Sequence, residues 1–147
     1  MDKKIIITIP HYNNPVGLIN TISSINDPIK IDIVITDDGS EIKLDEHQVR
    51  SKYNNKGNIH FIYLDKNYGV GIAANKCLEY VKNKSYKYVA RLDAGDISYK
   101  NKFSKQIEFL EKNNQIMLVG TWARVLDNEG NLLFYIKHPT DHNNIKR

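Results

Sequence analysis

No stretch of this chain stays apolar for long. The longest early run, Ile5-Ile6-Ile7-Thr8-Ile9, follows directly on Asp2-Lys3-Lys4 and falls far short of the roughly 20 residues a membrane-spanning helix needs. It is also too short for a secretory signal core, and no small-residue cleavage site follows; the expectation is a cytoplasmic protein. Cysteine is nearly absent. With Cys77 alone, an intrachain disulfide and a Cys/His metal cluster are both excluded, and Cys77 reads as a small residue on a helix face. The formal net charge is only +4, and no basic stripe is interleaved with aromatics, so nucleic acid is not an expected partner. A mild attraction to an anionic membrane surface stays open. His11, His47, His60, His138 and His142 are scattered, and none is assigned a role. There is no internal repeat and no low-complexity segment.

What is present is enough for one core. The 147 residues are 41% hydrophobic, which suits a single globular domain. Apolar strand-like runs alternate with segments of helical spacing. Lys4 to Ile9 reads as a strand buried on both faces, ended by Pro10. Asn14 and Pro15 offer a helix start, with Leu18, Ile22 and Ile25 on its core face and Asp27-Pro28 closing it. Ile31 to Thr36 is a second strand, Leu44 to Tyr53 a weak helix, and Ile59 to Leu64 a third strand. A helix follows from Gly69 to Lys82, with Ala74, Leu78 and Val81 on one face. Tyr86 to Leu92 is a fourth strand. A helix over residues 100–112 turns Phe103, Ile107 and Leu110 inward, and Ile116 to Val119 is a fifth strand. Thr121 to Leu126 and Leu132 to Ile136 flank a hairpin turn. The expected fold class is therefore α/β, a mostly parallel sheet flanked by helices. Within residues 1–147, a core over 1–120 precedes a hairpin over 121–137 and a polar tail over 138–147.

In open parallel sheets, ligands bind at the carboxyl ends of the strands. Three of the strands end in polar clusters: Pro10-His11-Tyr12-Asn13, Asp37-Asp38-Gly39-Ser40 and Asp93-Ala94-Gly95-Asp96. Each alone has a structural explanation, as a turn, a helix cap or a packing ring. Together, at successive strand ends, they point to a binding site. Four carboxylates crowded on one edge repel unless a cation or hydrogen bonds offset them. A divalent cation, Mn²⁺ or Mg²⁺, is the expected remedy, held by carboxylate oxygens and bridging substrate phosphates. Asn67-Tyr68-Gly69-Val70-Gly71 precedes a helix start suited to an anion. It lacks the third glycine of a dinucleotide fingerprint and does not follow the first strand, which excludes that reading.

These residues resemble a known family, the inverting family-two glycosyltransferases. Ile9-Pro10-His11-Tyr12-Asn13 is similar to their opening motif and Ile35-Thr36-Asp37-Asp38-Gly39-Ser40 to their nucleotide-binding turn. Asn67-Tyr68-Gly69 through Ala73-Ala74-Asn75 is similar to the segment after their third strand, and Arg91-Leu92-Asp93-Ala94-Gly95-Asp96 to their metal-binding Asp-x-Asp region. Gln106-Ile107-Glu108-Phe109-Leu110 and Val119-Gly120-Thr121 look like the stretch beyond it in bacterial polysaccharide enzymes. The resemblance implies a GT-A fold, Rossmann-like in binding nucleotides, and a nucleotide-diphosphate sugar donor. It implies transfer with inversion to a glycan or lipid-linked acceptor, with peripheral membrane association as one setting. It assigns Pro10, Tyr12, Asp37, Asp38, Asn67, Gly69 and Asp93 to the nucleotide, and Asp93 and Asp96 to the metal. Two departures stand out: Gly95 occupies the place of the usual metal-contacting carboxylate, and Ala74 that of an arginine in many relatives. The resemblance also implies a longer protein, of which this chain is the truncated, donor-binding portion, so no catalytic base is named. Two alternatives are a non-catalytic interaction module on a degenerate transferase fold and a signalling receiver domain. The latter carries its paired acids after the first strand, whereas here they follow the second.

Overall fold

The computed structural model describes residues 4–145. The described residues divide into two units, one running to Glu108 and one starting at Phe109. In the first, the elements run β1 (Ile5–His11), α1 (Pro15–Ser24), β2 (Asp32–Asp37), α2 (Glu46–Ser51), β3 (Ile59–Tyr63), α3 (Val70–Lys82) and β4 (Tyr88–Arg91). Helix α4 (Lys102–Lys112) begins there and crosses the division. The four strands form one sheet in the order β3-β2-β1-β4, and every pairing is parallel. All carboxyl ends therefore lie on one edge.

The central strands β1 and β2 are buried at every residue, as strands covered on both faces are. Alternation splits their side chains. Ile5, Ile7 and Ile9 join Leu18, Ile22, Phe103 and Ile107 on the face that carries α1 and α4. Ile6 and Val34 meet Cys77 and Val81 of α3 on the other. The buried stripe of α3 is Ala73, Cys77 and Val81, not the expected Ala74, Leu78 and Val81; Leu78 is half exposed. A four-residue step on a helix keeps one face, and the small Cys77 lets the helix sit close to the sheet, where its Sγ lies 3.1 Å from the Thr36 hydroxyl.

The strands depart from expectation in places. Strand β1 runs through Pro10 to His11, paired with Thr36 and Asp37. Proline ends only the other ladder. The last β1–β4 pair is Thr8 with Arg91, and Leu92 N donates to Thr8 O. The next donor on that side would be residue 10, which has no N–H. Strand β4 starts at Tyr88 rather than Tyr86. The expected fifth strand at 116–119 is absent: Met117 and Leu118 are almost fully exposed, and the segment pairs with no strand among the described residues. Four apolar residues without a ladder partner have no reason to hold strand geometry.

The second unit carries an antiparallel hairpin, β5 (Ala123–Leu126) and β6 (Leu132–Ile136), with an irregularity at Val125/Leu126. Asp127 organises its turn by accepting from the backbone N–H groups of Glu129 and Asn131. Strand β6 is exposed along its length. The polar tail holds one short helical turn, α5 (His142–Ile145).

Candidate functional site

The carboxyl edge of the sheet is built around the two aspartates that end β2. In parallel register His11 lies level with Asp37, and the His11 Nδ1 and Asp37 Oδ2 atoms are 2.8 Å apart, both side chains buried. The Asn14 backbone N–H donates to His11 Nε2 at 3.2 Å. That nitrogen is therefore the acceptor, and the ring proton sits on Nδ1, donating to Asp37. Asp37 Oδ1 accepts from Ser40 N at 2.8 Å. The Ser40 hydroxyl in turn accepts from Asn13 N, and Asn13 Oδ1 accepts from Glu41 N and Ile42 N. The loops after β1 and β2 are thus laced together. His11 was given no role from sequence; its position level with the first Asp of the turn is the signal that identifies it.

Asp38 faces the other way. Its side chain accepts from Tyr68 N at 2.9 Å and Gly69 N at 2.8 Å, so it clamps the loop that leads into α3. Asn67 Oδ1 adds a contact to Gly69 N at 3.1 Å. Gly39 follows with φ +68°, and a Cβ there would collide with the Lys66 backbone; glycine alone lets the two loops approach this closely.

The result is a cavity of about 200 Å³ lined by Pro10, His11, Tyr12, Asp38, Asn67, Gly69, Val70 and Ala73. Tyr12 is 45% exposed, its ring accessible. Five of the seven residues assigned to the nucleotide thus line one cavity. Asp37 lines a neighbouring one of about 300 Å³, with Ser40, Lys43, Tyr63 and Asp65. Tyr63 is pushed up to about 12 by burial and by its hydrogen bond to Glu46. Asp93 and Asp96 line neither cavity.

The turn after β4 is tied to α1 through its backbone. Gly95 N donates to Thr21 Oγ1 at 2.9 Å, and Asn14 Nδ2 donates to the Ala94 carbonyl at 3.2 Å. Gly95 has φ +113°. Arg91 Nε donates to Asp93 Oδ1 at 3.0 Å. Burial holds the Lys102 ammonium below its usual range, with the charge of Asp96 opposing that shift.

Those donors match a divalent cation poorly. Among the described residues, no three His, Cys, Asp or Glu side chains gather where they could hold a metal ion. Asp37 and Asp38 are taken by protein donors, Asp93 by Arg91, and Gly95 offers no side chain. Nor does Lys76 replace the arginine absent at Ala74, since its ammonium pairs with Glu79 at 2.8 Å.

A parallel α/β sheet with a ligand-sized cleft at its carboxyl edge, closed by two interlocked acidic loops, puts a candidate ligand site where open α/β sheets bind their ligands. The chain belongs to Glycosyl transferase family 2, whose model matches residues 6–145; this sets aside the receiver-domain alternative. It is 31% identical over 139 residues to an uncharacterized glycosyltransferase of Methanocaldococcus jannaschii, covering 90% of this chain and 46% of that protein. It is 36% identical over 67 residues to the amylovoran biosynthesis glycosyltransferase AmsE of Erwinia amylovora, covering 46% of this chain and 24% of AmsE. A crystal structure of S. aureus TarS 1–349 in complex with UDP-GlcNAc superposes with a TM-score of 0.63 at 23% identity, covering 76% of this chain and 32% of that one. The shared architecture is the GT-A one expected from sequence. The chain spans less than half the length of each of these relatives. None of the helices among the described residues is long and apolar enough to cross a membrane.

Proposed function

We propose that this chain binds the nucleoside diphosphate of a nucleotide-sugar donor, as the donor half of an inverting glycosyltransferase acting on a polysaccharide, glycan or lipid-linked acceptor. One observation carries the reading: Pro10, Tyr12, Asp38, Asn67 and Gly69, far apart in sequence, line a single cavity at the carboxyl edge of the sheet. The exposed Tyr12 ring offers a face for a base. Asp38 holds the loop at residues 67–69 by its backbone N–H groups, and the family resemblance assigns Asp93, just past β4, to the ribose. The TarS complex with UDP-GlcNAc, on the same fold, supports a uridine nucleotide as the first to test. Family membership supports sugar transfer as the chemistry, with an acceptor hydroxyl attacking in line with the departing diphosphate. We place this activity in the cytoplasm, at the inner membrane face when the acceptor is lipid-linked.

The test is calorimetric titration of the chain with UDP, UDP-GlcNAc and thymidine diphosphate. Binding of at least one, at micromolar to millimolar Kd, is expected, and Asp38→Ala should weaken it. A wild-type chain that binds none of them while capturing a protein partner would instead favour the non-catalytic module.

A further inference from the structure

We infer that Arg91 supplies the positive charge that a diphosphate meets at this site, so that nucleoside diphosphate binding needs no divalent cation; the inference rests on the donor-site reading above and deepens it. The carboxylates of this edge already have partners within the protein. Asp37 is bonded to His11 and Ser40 N, and Asp38 to Tyr68 N and Gly69 N. Asp93 is paired with Arg91, and Asp96 lies in the field of Lys102. Crowding of negative charge, the reason to expect a cation, is met by these groups. A Mg²⁺-like ion prefers near-octahedral oxygen ligands. Here Gly95 contributes no side chain, and its φ of +113° is one a carboxylate-bearing residue adopts only under strain.

Arg91 is placed to act in the ion's stead. In the parallel ladder it lies level with Thr8, and register partners project to the same face of a sheet. Ile6, on that face, packs against Cys77 of α3. Thr8, Pro10 and Arg91 therefore all project toward α3, and the Cys77 thiol feels the charge of Arg91. The cavity lined by Pro10, Asp38 and Ala73 opens on this same face, one strand over. The Arg91 and Asp93 side chains are 53% and 55% exposed, and an exposed pair of this kind holds weakly. A diphosphate carries more charge than a carboxylate and matches the guanidinium fork bidentately.

The experiment is calorimetry of the full chain with UDP and with uridine, in EDTA or in Mn²⁺, repeated for Arg91→Gln and Arg91→Lys. The wild-type Kd for UDP is expected to differ by less than about threefold between EDTA and Mn²⁺. Arg91→Gln should weaken UDP by about tenfold or more and leave uridine unchanged, with Arg91→Lys between. Tightening by Mn²⁺ of about tenfold or more overturns the inference, as does an Arg91→Gln variant that leaves UDP unchanged or weakens uridine equally. A wild-type chain that binds neither compound, nor UDP-GlcNAc or thymidine diphosphate, removes the donor-site reading and this inference together, whereas UDP binding that requires Mn²⁺ removes the inference alone.

Discussion

Asp37 and Asp38, adjacent at the end of β2, are put to different uses because strand geometry sends them to opposite faces. Asp37 is half of a buried polar lattice whose other half is His11, and such a lattice is costly to break because its survivors stay buried without partners. His11→Ala leaves Asp37 Oδ2 and the Asn14 N–H unpaired and should destabilise the chain by about 1–3 kcal/mol, read from the urea midpoint. His11→Asn keeps a donor near the Nδ1 position and should recover part of that loss; equal effects of the two substitutions would assign the role to ring packing instead. Gly95 yields a second prediction at this scale. Gly95→Asp restores the carboxylate of the family pattern, yet at φ +113° it should lower stability by about 1–3 kcal/mol without making UDP binding depend on Mn²⁺. A Mn²⁺-strengthened complex of normal stability would contradict this.

Helix α4 is set in place from a distance. Asp27, in the loop after α1, accepts from Phe103 N at 3.1 Å and Ser104 N at 2.8 Å, and Asn101, at φ 59°, donates to the Asn26 carbonyl. The cap satisfies N–H groups that the first turn leaves open. Asp27→Ala should lower the unfolding free energy by about 0.5–2 kcal/mol. Helix α3 offers a chemical probe. Cys77 is fully buried, and burial raises its thiol above the usual range despite the Thr36 hydrogen bond. A raised thiol pKa means less thiolate at neutral pH, so alkylation of the native chain should be slow and become complete on unfolding in urea. Fast modification of the folded protein would show that α3 does not sit on Ile6 and Val34.

For the molecule as a whole, ligand linkage gives a direct readout. A nucleotide that binds only the folded state, at a concentration of about 100 Kd, adds about 2.7 kcal/mol, or roughly 5–10 °C in Tm for a chain of this size. UDP should produce such a shift and uridine monophosphate a smaller one at equal concentration. Transfer to an acceptor is expected to be undetectable with these 147 residues alone. Asp37 and Asp38 are bonded inward, and Asp93 and Asp96 line neither cavity, so none of these four is placed to deprotonate an acceptor hydroxyl there. Multiple turnovers in a radiolabelled-sugar assay would show that a base was overlooked.

Much of this was legible in the chain itself. Continuous apolar runs at β1 and β2, helical spacing at α1 and α4, and the glycine of the Asp37–Ser40 turn follow from local sterics and burial, which a sequence displays. So did the residues around the cavity, because parallel strands must end on one edge. Tertiary structure decided the remainder. It determined that Pro10 ends one ladder and not the other, because that depends on which neighbour each N–H faces. It determined that residues 116–119 form no strand, because a strand exists only with a partner. It also determined that Asp37, Asp38 and Asp93 are hydrogen-bonded by His11, backbone N–H groups and Arg91, since such pairing is a matter of distances in space that no spacing along the chain records.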